Sequence, residues 1–343
     1  MPDIHSSYQI KNVQFPNRIV MAPMVRFGYV NENGVMGRRL LDDHLSRAGC
    51  GAGLVISEAL YVTDTVPVPS ELSWRAGVWS DEHIEYLRTI CDSYHSGGSV
   101  FFAQLAHPGF SFGDESARDI NQISLDEIQK IRDGFIHASV RCRKAGLDGV
   151  EFHGAHTFFL NSLASATANK RTDRYGGDIA GRMTLIQEII EGVRQEVGDE
   201  FLLGYRMGWT ENIHTDMETA QALEKLGLDI LHVSTGIPRS RGLSLPDDFI
   251  FNEVVYSAAL VKKNVTVPVI SVNQIRTAAR GSRVIEQGIS DFVAFGKPFL
   301  ADIEFALKAK IDAEYMPCLE CRGCQWFTDG ARCPMQIRLG QAH

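Results

Sequence analysis

The chain has 343 residues, 44% hydrophobic and 22% charged, with a net charge of −8 and a pI near 5.8. Such a composition suits a globular protein with a large core, and its interspersed charges argue against nucleic acid or an anionic membrane as the main partner. "MPDIHSSYQIKNVQF" has no basic start followed by an apolar run, and no apolar stretch reaches the roughly 18 residues of a membrane helix, so a cytoplasmic location is the default expectation.

Along the chain, short β-branched apolar runs alternate with longer amphipathic segments. Strands are predicted at 19–24, 53–60, 100–107, 149–155, 202–208, 229–236, 267–273 and 290–298. Most are almost continuously apolar, as strands covered on both faces should be. Helices are predicted near 38–49, 81–97, 124–145, 179–197, 216–226, 249–263, 276–287 and 300–313, with Ser80, Ser124 and Thr215 as starting caps. Eight βα units in series predict an α/β protein of the (β/α)8 TIM-barrel class. A doubly wound open sheet is the rival, but no G-x-G-x-x-G follows the first strand. Residues 1–316 form the expected barrel and 317–343 a short cysteine-rich extension.

In such barrels the active site lies at the carboxyl ends of the strands. Gln104 and His107, His153 and His156, Arg206, Asn273, Gly296 and Lys297 all fall there. A lone histidine reads as a satisfied loop residue. Two at one strand mouth, among other convergent polar groups, point to function. Arg206, a cation on an otherwise apolar strand, reads the same way.

These residues resemble the old yellow enzyme family of FMN-dependent oxidoreductases. "NRIVMAPM" (17–24), "AQLAH" (103–107), "HGAH" followed by "NKRTDRYGG", and "FGKPFLAD" (295–302) occur in the family's order across nearly the whole chain. The resemblance implies FMN at the top of the barrel, lined by the backbone of Pro23, Met24, Val25 and Ala59. It implies Gln104 at the pyrimidine edge, Arg206 near N1 and the C2 carbonyl, and Asn273, Gly296 and Lys297 at the phosphate. His153 and His156 would bind a substrate oxygen over the flavin, with Phe27 and Phe158 also lining the substrate pocket. Several positions depart from the family. Val25 stands where Cys or Thr is frequent, Phe158 where a proton-donating tyrosine is usual, and Phe27 where one branch has tyrosine. Lys297 replaces arginine, Asn273 glycine, Arg174 an acidic residue and Ala166 a proline. Phe158 has no acidic proton, which leaves Tyr61, Tyr205 or a water as donor. The loops 25–38, 61–79 and 108–120 would set the bulk of the substrate pocket.

Of the seven cysteines, Cys318, Cys321, Cys324 and Cys333 crowd the tail as C-x2-C-x2-C-x8-C. Thiolates at this pitch can wrap one metal centre. The segment resembles the place where trimethylamine dehydrogenase and 2,4-dienoyl-CoA reductase bind a [4Fe–4S] cluster, although its last interval is shorter. Zinc held by four thiolates and free thiols on a loose tail are the alternatives.

The leading expectation is an FMN oxidoreductase acting on a small conjugated or carbonyl-bearing substrate, with NAD(P)H as electron donor. The first alternative is a flavin/[4Fe–4S] dehydrogenase that passes electrons to a separate electron-transfer protein. The second is a flavin- or metal-binding protein without catalysis. A homo-oligomer is also expected.

Overall fold

The structure is a computed structural model and describes residues 2–27, 29, 31, 33–64, 76–108, 119–238 and 242–342. Parts of the three expected pocket loops, including 65–75 and 109–118, lie outside the described residues.

Eight parallel strands close a barrel: β3 (Ile19–Met21), β4 (Leu54–Tyr61), β5 (Val100–Ala106), β6 (Gly149–Gly154), β7 (Leu202–Gly208), β8 (Ile230–Ser234), β9 (Val269–Ser271) and β10 (Phe292–Phe295). The expected (β/α)8 barrel is therefore the observed fold. A hairpin that the sequence pattern did not reveal precedes it, β1 (Tyr8–Ile10) against β2 (Val13–Phe15). It caps the amino-terminal end, where the Tyr8 and Phe15 rings pack on Phe292 at 5.0 and 5.2 Å. Above this plug the interior is apolar, filled by Val20, Leu54, Ile56, Val100, Phe102, Leu202, Ile230 and Ile270.

The helix layer comprises α1 (Arg38–Ser46), α2 (Ile84–Ser96), α3 (Leu125–Ala145), α4 (Phe159–Ala164), α5 (Ile179–Val197), α6 (Ile213–Lys225), α7 (Glu253–Asn264), α8 (Ala278–Glu286), α9 (Lys297–Ala301), α10 (Phe305–Ile311) and α11 (Pro334–Leu339). α3 shows why the sequence specifies them. Ser124 accepts from the Glu127 amide, and Ile128, Ile131, Phe135, Ala138, Cys142 and Ala145 recur every three or four residues on the buried face. Gly146, at φ 97°, ends the helix in the left-handed region that glycine adopts freely. Truncating Phe135 to alanine would cost about 3–5 kcal/mol in lost burial and cavity formation.

Two boundaries differ from expectation. α6 is capped by Asn212, whose side chain accepts from the His214 and Thr215 amides, so Thr215 lies inside the helix. The single helix expected over 300–313 is broken at Asp302. That carboxylate accepts from the Glu304 amide, Lys308 Nζ, Tyr315 Oη and Gln341 Nε2 at 2.6–3.0 Å, which anchors a corner between α9 and α10.

The "NKRTDRYGG" signature proves to be a structural clasp. Asn169 Nδ2 donates to the Leu163 and Tyr175 carbonyls, and Arg171 Nη1 to the Ile120 and Ile123 carbonyls. Asp173 holds both the Arg171 guanidinium and the Tyr175 amide. The tail also packs on the barrel: Trp326, Cys333 and Met335 join the helix-layer core, and Gln336 Nε2 donates to the Leu300 carbonyl.

At the end of α2, His95 Nε2 pairs with Asp148 at 2.8 Å, and Asp148 also accepts from the amide of Phe101, the second residue of β5. Asp148 first, then the Cys91 sulfur, raise the His95 pKa to about 10. Because the folded value lies above the unfolded one of about 6.5, the contribution is complete below that pH and fades as pH rises toward about 10. Solvent screening of this part-exposed pair limits it to about 1 kcal/mol. Urea unfolding at pH 6 and pH 10 should show this loss in the native protein and a flatter profile in His95→Gln; identical profiles would remove the pair from the stability balance.

Candidate active site

Register brings the polar side chains together. Ala59 pairs with Gln104, Gln104 with Glu151, His153 with Arg206, and Arg206 with His232. In a pleated sheet, residues two apart share a face, so Glu151 and His153 point into the barrel on β6 and His232 and Ser234 do so on β8. They form a buried polar storey over the apolar floor.

Beyond β6 the chain turns sharply. His156 and Thr157 hold left-handed backbone, φ 57° and 64°, which is costly for a β-branched residue. The turn is held by the His156 amide on the Thr235 carbonyl and by the Thr157 amide on Asn161 Oδ1. It seats the His156 ring edge-on to His153 at 5.1 Å, while Phe158 packs on His153 at 4.2 Å. Ser234 Oγ joins His156 Nε2 at 2.9 Å and Arg206 Nη2 at 3.3 Å.

Burial dominates the electrostatics. It lowers the His156 pKa to about 3 with help from Arg206 and His232, and it holds His153 well below the usual histidine range with help from His156 and Arg206. Both rings are therefore neutral near pH 7. Arg206, buried, is pulled down by desolvation and supported by the Glu151 charge. Within this storey, Arg206 Nε, His153 Nδ1 and His232 Nε2 are buried nitrogens without a partner among the described residues. Each such group costs about 1–3 kcal/mol unless a ligand satisfies it.

The remaining expected residues surround this storey. Ala59 lies beside Gln104, and Tyr61 follows two residues on along the same face of β4. Pro23, Met24 and Val25 follow β3, and Phe27 packs on Phe327 of the tail at 5.9 Å. A Cβ on Gly296 would come within 3.3 Å of the Met24 sulfur, so the ends of β3 and β10 approach closely there. Asn273 adopts φ 96°, and its Oδ1 accepts from Asn252. Tyr205, raised as a possible proton donor, belongs instead to the helix-facing core with its hydroxyl against Gly154, away from the barrel interior.

The four tail cysteines line a single cavity together with Lys297 and Trp326. Among the described residues, no group of three or more His, Cys, Asp or Glu side chains stands at metal-ligating spacing.

Sequence reasoning missed Glu151, His232 and Ser234. The period-2 recurrence of polar residues in "GVEFHGA" and "DILHVSTG" is the signal that could have found them. It also missed a buried ionic network behind the mouth. Arg26 donates to Asp43, Glu58 and the Met24 carbonyl; Arg47 donates to Asp43 and to the Phe299 carbonyl of α9; Glu58 pairs with His44, and His44 with Tyr94.

The profile of the NADH:flavin oxidoreductase / NADH oxidase family matches residues 3–315. The chain belongs to this family. An NADH oxidase of Thermoanaerobacter brockii is 32% identical over 98% of this chain and 55% of its own length. A Bacillus pumilus NADPH dehydrogenase is 28% identical over 88% of the chain and 92% of its own length. The chain thus spans about half the T. brockii protein. Morphinone reductase in complex with tetrahydroNAD superposes with a TM-score of 0.77 at 22% identity, covering 96% of this chain and 94% of that one, which speaks for the fold. The family's description names flavin and NADH. The barrel mouth fits such a cofactor, because its unpartnered buried nitrogens suit an acceptor-rich ring.

Asp43 holds two buried guanidinium groups, and their charges keep its carboxyl far below the usual range against the opposing effect of burial. Asp43→Asn should cost about 3–5 kcal/mol by leaving buried positive charge uncompensated. Chemical denaturation measures this, and a loss below about 1 kcal/mol would mean the network relaxes around the change.

Proposed function

We propose that the protein is an FMN-dependent oxidoreductase that moves hydride between a nicotinamide and a small conjugated or carbonyl-bearing substrate. One observation carries the reading: a buried arginine with an unpartnered Nε stands beside two neutral histidines at the mouth of a barrel of this family. Bound FMN supplies the two-electron chemistry. The backbone of Pro23, Met24, Val25 and Ala59 lines it, and Gln104 meets its pyrimidine edge. Arg206 offsets negative charge near N1 and the C2 carbonyl. Asn273, Gly296 and Lys297 hold the phosphate through backbone N–H groups and one cation.

His153 and His156, being neutral, present N–H groups to a substrate oxygen and gather charge there without an ion of their own. Phe27 and Phe158 supply apolar walls. Phe158 offers no proton, and Tyr205 faces the helix layer, so a proton for substrate carbon comes from Tyr61 or a water. Incubation with FMN should give a yellow protein that NADH or NADPH bleaches anaerobically. A chain that stays colourless contradicts the proposal.

Replacing either histidine by alanine should weaken a phenol ligand, read from flavin absorbance, by about 1–3 kcal/mol. With His156 titrating at about 3 and His153 also depressed, wild-type binding should show no histidine step between about pH 5 and 8. Equal affinity in both variants would take the pair out of the substrate site.

A second reading rests on the cavity lined by Cys318, Cys321, Cys324 and Cys333. Burial raises the Cys318 thiol, while the Glu320 backbone and Lys297 draw it back. The four thiols share this cavity without standing at metal-ligating spacing, so a [4Fe–4S] cluster, which would relay electrons singly to a separate protein, requires them to draw together around it. A single zinc ion would instead draw the sulfurs to about 2.3 Å from one centre. Anaerobic iron and sulfide analysis, with EPR after dithionite, distinguishes the two. Fewer than about two irons per chain with stoichiometric zinc means a structural zinc site and ends the relay.

A further inference from the structure

We propose that Glu151 is a positioning residue that orients the Gln104 amide and counterbalances Arg206, with His232 fixing its carboxylate. The inference rests on the FMN reading and names groups beneath the cofactor that this reading leaves without a role.

Glu151 lies on the floor of the polar storey, almost fully buried, and both its oxygens are engaged. Oε1 accepts from Gln104 Nε2 at 2.7 Å, and Oε2 pairs with His232 Nδ1 at 2.8 Å. A carboxylate can only accept, so it obliges Gln104 to turn its NH2 inward. The amide carbonyl is thereby turned away, free for an N–H on the pyrimidine edge of a flavin. The Gln104 backbone is pinned as well, its N–H donating to Ser57 Oγ at the β4 bulge. The carboxylate also stands one register step below Arg206 on the neighbouring strand. Burial pushes the Glu151 carboxyl up, but His232, Arg206 and Gln104 outweigh it and keep the group ionised. A cation and an anion thus sit together under the ring, and Arg206 acts as a partly neutralised charge.

Two effects separate this role from mere support of the fold. Glu151→Gln removes the anion and lets the Gln104 amide take either orientation. Oxidised FMN should then bind about fivefold more weakly, the equivalent of one hydrogen bond. The midpoint potential of bound FMN should rise, because Arg206 would stabilise negative charge on reduced flavin without opposition. A rise of about 30 mV corresponds to a tenfold gain in preference for the reduced form of a two-electron couple. His232→Leu removes the donor that stabilises the carboxylate and should move the potential in the same direction. His232→Gln keeps a donor and should restore most of the native value.

The experiment is FMN titration by fluorescence and dye-equilibrated reductive titration of wild type and the three variants. Native FMN affinity and potential in both Glu151→Gln and His232→Leu would overturn the inference while leaving the FMN site standing. A wild-type protein that takes up no FMN would overturn both. Loss of folding in both variants would assign the pair to fold maintenance and equally end the proposal.

Discussion

The site depends on strand register. In a parallel barrel with a two-residue pleat, a slip of one residue on β6 would send Glu151 and His153 into the helix layer and bring Phe152 inside. The same slip on β7 would exchange Arg206 for Tyr205. Register is held from below, by the apolar floor and the Phe15–Phe292 plug, and from outside, by Phe152 on Phe135. Hydrophobic packing at one level thus fixes the placement of charged groups at the next.

Placing Arg206 and Glu151 in the interior has a desolvation cost that only close, well-bonded partners offset. Most of the polar storey is satisfied internally, through Gln104, His232 and Ser234, and its unpartnered atoms include nitrogens of Arg206, His153 and His232. A second set of buried ions, Arg26, Asp43, Arg47 and Glu58, braces the mouth from behind and ties the segment after β3 to α9. The left-handed His156 and Thr157 are held by hydrogen bonds from both sides.

The barrel was legible because strands covered on both faces are continuous apolar runs, and helices such as α3 carry their caps and periodicity openly. The mouth residues were legible where a polar side chain interrupts such a run, as at His153 and Arg206. Glu151 and His232 were harder to find: the two-residue alternation marks them as sharing a face with His153 and Ser234, but only the pairing of neighbouring strands joins that face to Gln104. The ionic network was illegible: Arg26 and Asp43 look like ordinary surface charges until tertiary contact buries them, and Glu58, although it interrupts the apolar run of β4, does not reveal its partners. Asp302 likewise resembles a helical residue, and its four hydrogen-bond donors come from as far along the chain as Gln341. The hairpin escaped because its strands have only three residues each.

The hairpin plug has one more implication. Among the described residues, aromatic rings pack at the amino-terminal end and an apolar floor lies above them, which opposes the passage of water and ions along the barrel axis. Proton exchange of Gln104, Glu151, His153, Arg206 and His232 with solvent is therefore directed to the carboxyl-end mouth. A ligand lodged in that mouth stands across this path, so proton exchange by these groups slows for as long as it stays.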